Sequence, residues 1–190
     1  MANNCWNWVK ITGPKETLDI IEERFKKYND WQGTFTEFSR MVLGLESDVV
    51  PEHETIDEMF DRIYTYGTKW WDFELDGDDD WLQISGDSAW SPPLGLLTKI
   101  SEVFNVKVEA EYEECGMDFA GFFTAENGEY EDREMTCFEY ELENDRKTAI
   151  ERLIEHINED WFDLKYAEEY KKPYLTNEEW NEVLTETKKK

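Results

Sequence analysis

The stretch SPPLGLLTKISEVFNVKVEAEY, residues 91–112, changes its hydrophobic period once, and that change decides the fold. Up to Phe104 the apolar residues Leu94, Leu97, Ile100 and Phe104 recur every three or four positions, as on one face of a helix. Pro92 and Pro93 suit a helix start, and Asn105 suits its stop. From Val106 the pattern is period two: Val108, Ala110 and Tyr112 alternate with Lys107, Glu109 and Glu111. That is a strand buried on one face only.

Upstream, Asn4 to Thr12 carries Trp6 and Trp8 in a strand-like run ended by Gly13 and Pro14, and Leu18, Ile21, Phe25 and Tyr28 then share a helical face. Trp70 to Leu75 and Trp81 to Ser85 flank the acidic turn Asp76 to Asp80, which predicts a hairpin with an exposed tip. Residues 29–66 read as an insertion, with Thr55 and Glu58 at capping-box spacing before a helix that stops ahead of Gly67. Downstream, Phe119 to Thr124 and Glu134 to Tyr140 read as two extra strands joined near Asn127 and Gly128. The order is strand, helix, strand, strand, helix, strand, which predicts an α+β sandwich of the ferredoxin-like split βαβ type. Asn4–Thr12 is then expected beside Val106–Tyr112, antiparallel, with the helices at 15–28 and 93–104 on one face.

The C-terminal part changes character. Ile150, Leu153, Ile154, Ile157, Trp161 and Leu164 form a stripe after Asn144 and Asp145, and Thr176 with Glu179 repeats the capping-box spacing. Two helices broken at Pro173 are expected. The implied organisation is a ferredoxin-like domain over 1–142, with C-terminal helices over 143–190 packed on the same domain.

Among the 190 residues, 46 acids face 20 lysines and arginines, a net charge of −26. Such a balance excludes a general binder of phosphate backbones, which gains affinity from basic residues. A mean hydropathy of −0.78 would suit disorder, but nine tryptophans among 15% aromatic residues argue for a folded core. The sequence carries no run of about 20 apolar residues, and Met1 to Cys5 lacks a basic start, so the expected location is the cytoplasm. Cys5, Cys115 and Cys137 read as free thiols. With no CxxC pair, and with His53 and His156 apart, no cofactor and no metal are expected. The run from Asp76 fails as a calcium loop, because Trp81 stands at its sixth position and Asp87 at its twelfth.

Four segments together resemble an uncharacterised phage- and plasmid-associated family with a YubB-type ferredoxin-like domain. They are Asn3, Cys5, Asn7, Ile11 and Gly13; Gly67-Thr68-Lys69-Trp70 followed by Asp72; Ala89-Trp90-Ser91-Pro92-Pro93; and Tyr112, Glu114, Gly116, Phe119 and Gly121. Asn4 stands where the family has tryptophan, and Trp71 separates Trp70 from Asp72. The resemblance spans residues 1–125 and implies a mobile-element origin, with no reaction attached.

These segments supply the candidate binding surface: Lys69, Trp70, Asp72, Trp90, Ser91, Tyr112, Glu114, Gly116 and Phe119. Trp90 precedes a helix start, where backbone N–H groups are unpaired. The leading expectation is an acidic interaction protein with a protein or small-molecule partner, including a basic host protein, and with neither nucleic acid nor membrane. One alternative is a nucleic-acid mimic that inhibits a host defence enzyme, with acids at Asp76–Asp80, Glu109–Glu114, Glu126–Glu134 and Glu139–Glu143 along one face. Another is an enzyme using Lys69, Asp72, Tyr112 and Glu114 as acid, base and positive charge. Cys115 beside Glu114 makes a poor nucleophile, because a neighbouring carboxylate disfavours the thiolate.

Overall fold

The computed structural model describes residues 3–27, 35–45, 65–159, 161 and 163–187. It divides into two compact units, Met1–Glu134 and Met135–Lys190.

In the first unit, strand β1 (Asn4–Thr12) leads through Pro14 into helix α1 (Lys15–Lys26), and helix α2 (Phe35–Leu43) follows. Hairpin β2 (Trp71–Asp78) and β3 (Trp81–Ala89) leads to helix α3 (Leu94–Phe104), then β4 (Lys107–Glu114), β5 (Phe119–Glu126) and β6 (Glu129–Met135). The sheet order is β2-β3-β1-β4-β5-β6. Its first four strands are the antiparallel split βαβ arrangement expected, with β5 and β6 added beyond β4. β1 pairs with β4 with Val9 opposite Ala110.

Period two divides the sheet into two faces. Cys5, Asn7, Val9 and Ile11 on β1, Leu82 and Ile84 on β3, and Val108, Ala110 and Tyr112 on β4 are all buried. The helices supply Leu18, Ile21 and Phe25 from α1, Phe38 and Val42 from α2, and Leu97 and Ile100 from α3 to the same core. Both α1 and α3 therefore cover one face. Phe25 is its centre, edge-on to Phe38, Trp71 and Phe73 with centroids 5.4, 6.1 and 5.2 Å away. Edge-to-face contacts of this kind contribute about 0.5–1.5 kcal/mol each beyond area burial. Helix α3 ends where Asn105 takes the left-handed conformation, φ 53°. The hairpin tip, Asp76 to Asp80, is exposed throughout.

Several expectations are corrected. α2 was not anticipated within the segment read as an insertion, although Phe35, Phe38 and Val42 keep helical spacing. The helix expected from Thr55 lies outside the described residues apart from Thr65 and Tyr66, which are helical. No strand runs over Glu134–Tyr140: β6 ends at Met135 and helix α4 (Cys137–Asn158) begins two residues later. Thr136 and Glu139 form a reciprocal capping box there, with Glu139 N–H donating to Thr136 Oγ1 at 3.2 Å and Thr136 N–H to Glu139 Oε2 at 2.9 Å.

The second unit consists of α4, α5 (Leu164–Tyr170), a 3₁₀ turn at Lys172–Tyr174 and α6 (Asn177–Thr187). Its core joins Phe138, Leu142, Ile150 and Leu153 to Ala167, Trp180 and Val183. α4 is interrupted at Asp145 (φ −151°, ψ 86°), whose carboxylate accepts from Thr148 N–H at 3.2 Å. Asn144 and Asp145 thus mark a restart inside a helix already formed. Trp161 and Leu164, expected on the buried stripe, are exposed because α4 ends at Asn158. Among the described residues no helix is long and apolar enough to cross a membrane.

Candidate functional site

The register brings the quoted segments to one end of the sheet, where β1 and β5 begin and β3 and β4 end. Asn4 lies opposite Ala89, Trp71 opposite Ser88, and Glu114 opposite Phe119. Trp90 projects from this end, nearly half exposed at 47%, with a positive φ of 65° that a bulky residue seldom adopts. Ser91 N–H donates to Ala89 O at 2.8 Å and Trp90 N–H to Asn3 O at 2.9 Å, which pins the turn. The Lys69 ammonium lies 5.8 Å from the Trp90 ring centroid, a cation–π contact.

The backbone of residues 65–67 closes the start of α3. Gly67 (φ 96°) has no room for a side chain: a Cβ would sit 2.5 Å from Pro92 O and 2.8 Å from Leu94 N. Gly95 meets Tyr66 Cα at 3.0 Å in the same sense. The Ser91 hydroxyl donates to Gly67 O and leaves the helix uncapped by a side chain. Gly67 thus packs against the Leu94 N–H at the helix start, where open N–H groups were expected. Thr68 is buried, its hydroxyl 2.9 Å from Ala89 O and 3.1 Å from Trp70 O, so the half-buried Trp70 is held by its backbone.

Tyr112 and Glu114 do not join Lys69 and Asp72 in a pocket. Both face the helices, at 1% and 4% exposure, whereas Asp72 is exposed on the other side of the sheet. Glu114 holds the turn after β4, its carboxylate accepting from Gly116 N–H at 3.1 Å and Met117 N–H at 2.5 Å. Tyr112 donates to Asp132 Oδ1 at 2.7 Å, while burial and that carboxylate push its phenol up from the usual value. Phe119 packs on Tyr112 with centroids 6.1 Å apart. Beside them lies a buried polar knot. Asn7 Nδ2 donates to Cys5 O and Ser88 Oγ, both at 2.8 Å, and Ser88 Oγ donates to Ser91 O at 2.8 Å. These residues satisfy one another where β1, β3 and the Trp90 turn meet, and burial pushes the Cys5 thiol up to about 12.

Other exposed polar groups of the first unit lie on the sheet face opposite α1 and α3. Alternation sends Asp72, Glu74, Asp76 and Asp78 of β2 outward, all exposed, and Glu109, Glu111 and Glu113 of β4 to the same face, half-buried. Between them β1 carries Trp6 and Trp8, paired with Asp87 and Ser85 on one side and with Glu113 and Glu111 on the other. Glu114, expected among the outward acids, points inward. Glu139 is held in its capping box and Glu141 pairs with Arg152 at 2.9 Å, both within the second unit. Trp6, Asp72, Glu74 and Asp87 line an open groove of about 350 Å³ on the sheet face. Sequence reasoning passed over Glu74 and Asp87, although even-numbered alternation along β2 was visible.

The sheet order and its helices define a ferredoxin-like α+β domain. Residues 63–152 match the family described as "Ferredoxin-like domain in Api92-like protein", a span that includes three of the four quoted segments but not the one at Asn3–Gly13. The crystal structure of protein api92 from Yersinia pseudotuberculosis is similar at 10% identity with a TM-score of 0.42, covering 72% of this chain and 99% of that one. A comparison with curated proteins found no match.

Proposed function

We propose that the chain is a cytoplasmic, mobile-element-encoded binding protein that engages a basic partner protein through the acidic, tryptophan-bearing face of its sheet. The observation that carries this reading is the row of exposed carboxylates along β2, on the same face as Trp6 and Trp8 and separated from them by β3. A predominantly acidic surface attracts basic partners over long range, and indole rings supply apolar contact area once they arrive. The resemblance of the four segments to a phage- and plasmid-associated family supports the mobile-element setting. Catalysis by Lys69, Asp72, Tyr112 and Glu114 has no geometric support, because the sheet separates the exposed carboxylate from the two buried groups.

Calorimetric titration of the full chain with a peptide rich in lysine and arginine tests this. Binding should weaken steeply as salt rises through the physiological range, where screening sets in beyond about 8 Å. Affinity independent of salt would overturn the reading.

The same rows favour a second reading, mimicry of nucleic acid. From Asp72 to Asp78 the strand covers about 20 Å, so the acids of β2 and β4 together place roughly one charge per 3 Å, against about one per 1.7 Å in a DNA duplex. If the partner uses its nucleic-acid groove, duplex DNA will compete with this chain for a basic nuclease; simultaneous binding of both excludes mimicry.

A further inference from the structure

We propose, resting on the sheet-face reading above, that the groove between Trp6, Asp72 and Asp87 receives an arginine side chain of the partner protein. The three residues form one transverse row, with Trp6 on β1 opposite Asp87 on β3 and Asp87 opposite Asp72 on β2. All three project to the face opposite α1 and α3. Directly opposed residues on antiparallel strands hold their Cβ atoms about 5 Å apart, and like charges so placed destabilise the sheet. Among the described residues no lysine or arginine pairs with Asp72, Glu74 or Asp87, and Asp87 Oδ2 accepts only a long bond of 3.4 Å from Asn4 Nδ2. The two lysines of this face, Lys10 and Lys107, lie towards the other end, and Lys107 is engaged by Glu109 at 2.7 Å.

A guanidinium matches this groove. It is planar, stacks on an indole face, and presents N–H groups along two edges, so one group can donate to both carboxylates while resting on Trp6. Glu74 adds a third carboxylate at the groove wall, which Ser85 and Gly86 also line. A lysine ammonium is compact and strongly hydrated, and gains less from the ring and from opposed carboxylates.

The test uses the full chain labelled at its tryptophan indoles, with the Trp6 resonance identified by Trp6→Phe. N-acetyl-arginine amide, the lysine equivalent and the uncharged citrulline equivalent are titrated in turn. The arginine compound should move the Trp6 resonance, the lysine compound should bind about fivefold or more weakly, and citrulline should have no effect. Asp72→Asn and Asp87→Asn should each weaken arginine binding by about tenfold while leaving the Tm of the free chain unchanged or higher, because each relieves a like-charge contact. A lower Tm would mark these carboxylates as structural and overturn the proposal. Equal response to arginine and lysine, or an unmoved Trp6 while the arginine-rich peptide still binds, would also overturn it and leave the sheet-face reading intact. No binding of peptide or amide at all would overturn both.

Discussion

The Tyr112 phenol on β4 crosses Gly121 on β5 and donates to Asp132 Oδ1 on β6 at 2.7 Å, so one side chain ties three strands together. A Cβ at position 121 would lie 2.5 Å from Tyr112 Cζ and 2.8 Å from Arg133 O. Gly121→Ala should therefore cost about 1–3 kcal/mol through overpacking, read as a fall in Tm. Tyr112→Phe should cost about 1 kcal/mol. The neutral phenol is the stabilised form, so its contribution is complete below the ordinary tyrosine value near 10 and is lost as pH rises through the higher folded value. The gap between wild type and Tyr112→Phe should accordingly shrink in strong alkali; a gap that widens there would contradict the assignment.

Thiol reactivity gives an independent check on the buried knot. Burial pushes Cys5 up to about 12 and Cys137 is also buried, whereas Cys115 is exposed in the turn after β4. At pH near 8 the native chain should release one thiol rapidly to a disulfide reagent, and the unfolded chain all three. Fast reaction of Cys5 in the folded chain would mean that the start of β1 is open.

In the second unit Glu179 accepts from Arg146 Nε at 2.6 Å and Nη2 at 2.9 Å, and from Thr176 N–H at 2.7 Å. The guanidinium, then the cap, hold its carboxyl down to about 2. Its folded value is depressed, so this stabilisation is present above the unfolded value near 4.5 and is lost as pH falls towards 2. Glu179→Gln should lower helix stability at neutral pH and flatten the loss between those limits, followed by circular dichroism. Thr176→Ala should cost about 1 kcal/mol as a lost cap. An unchanged acid profile in Glu179→Gln would place the acid sensitivity elsewhere.

Where period and punctuation agree, the fold could be read from the chain: α3 with its stop at Asn105, β4 with its alternation, and the hairpin around Asp76 to Asp80. The misreading of Glu134–Tyr140 has a local cause. Glu134 to Tyr140 mixes aromatic and acidic residues without a clear period, and the deciding signal was Thr136 with Glu139, the same spacing correctly read at Thr176 and Glu179. Trp71 was treated as an interruption between Trp70 and Asp72, yet it is wholly buried against Phe25, and its parity is what turns Asp72 outward. The candidate surface was half legible. The period that buries Tyr112 also buries Glu114, which had been expected among the outward acids, whereas the meeting of Trp6, Asp87 and Asp72 depends on strand order, which no local pattern encodes.

If the sheet face is the docking surface proposed above, the position of its charges, not their total, should set affinity for a basic partner. Two variants lose the same three negative charges: Asp72→Asn with Glu74→Gln and Asp87→Asn on the face, and Glu129→Gln with Glu131→Gln and Glu134→Gln on β6, where all three acids are exposed. Their affinities for the arginine-rich peptide should be compared at one ionic strength, with Tm confirming that both fold. The face variant should lose about tenfold or more and the β6 variant no more than about twofold, since charged pairs made at the docking surface outweigh distant screened ones. Equal losses in the two variants would contradict it.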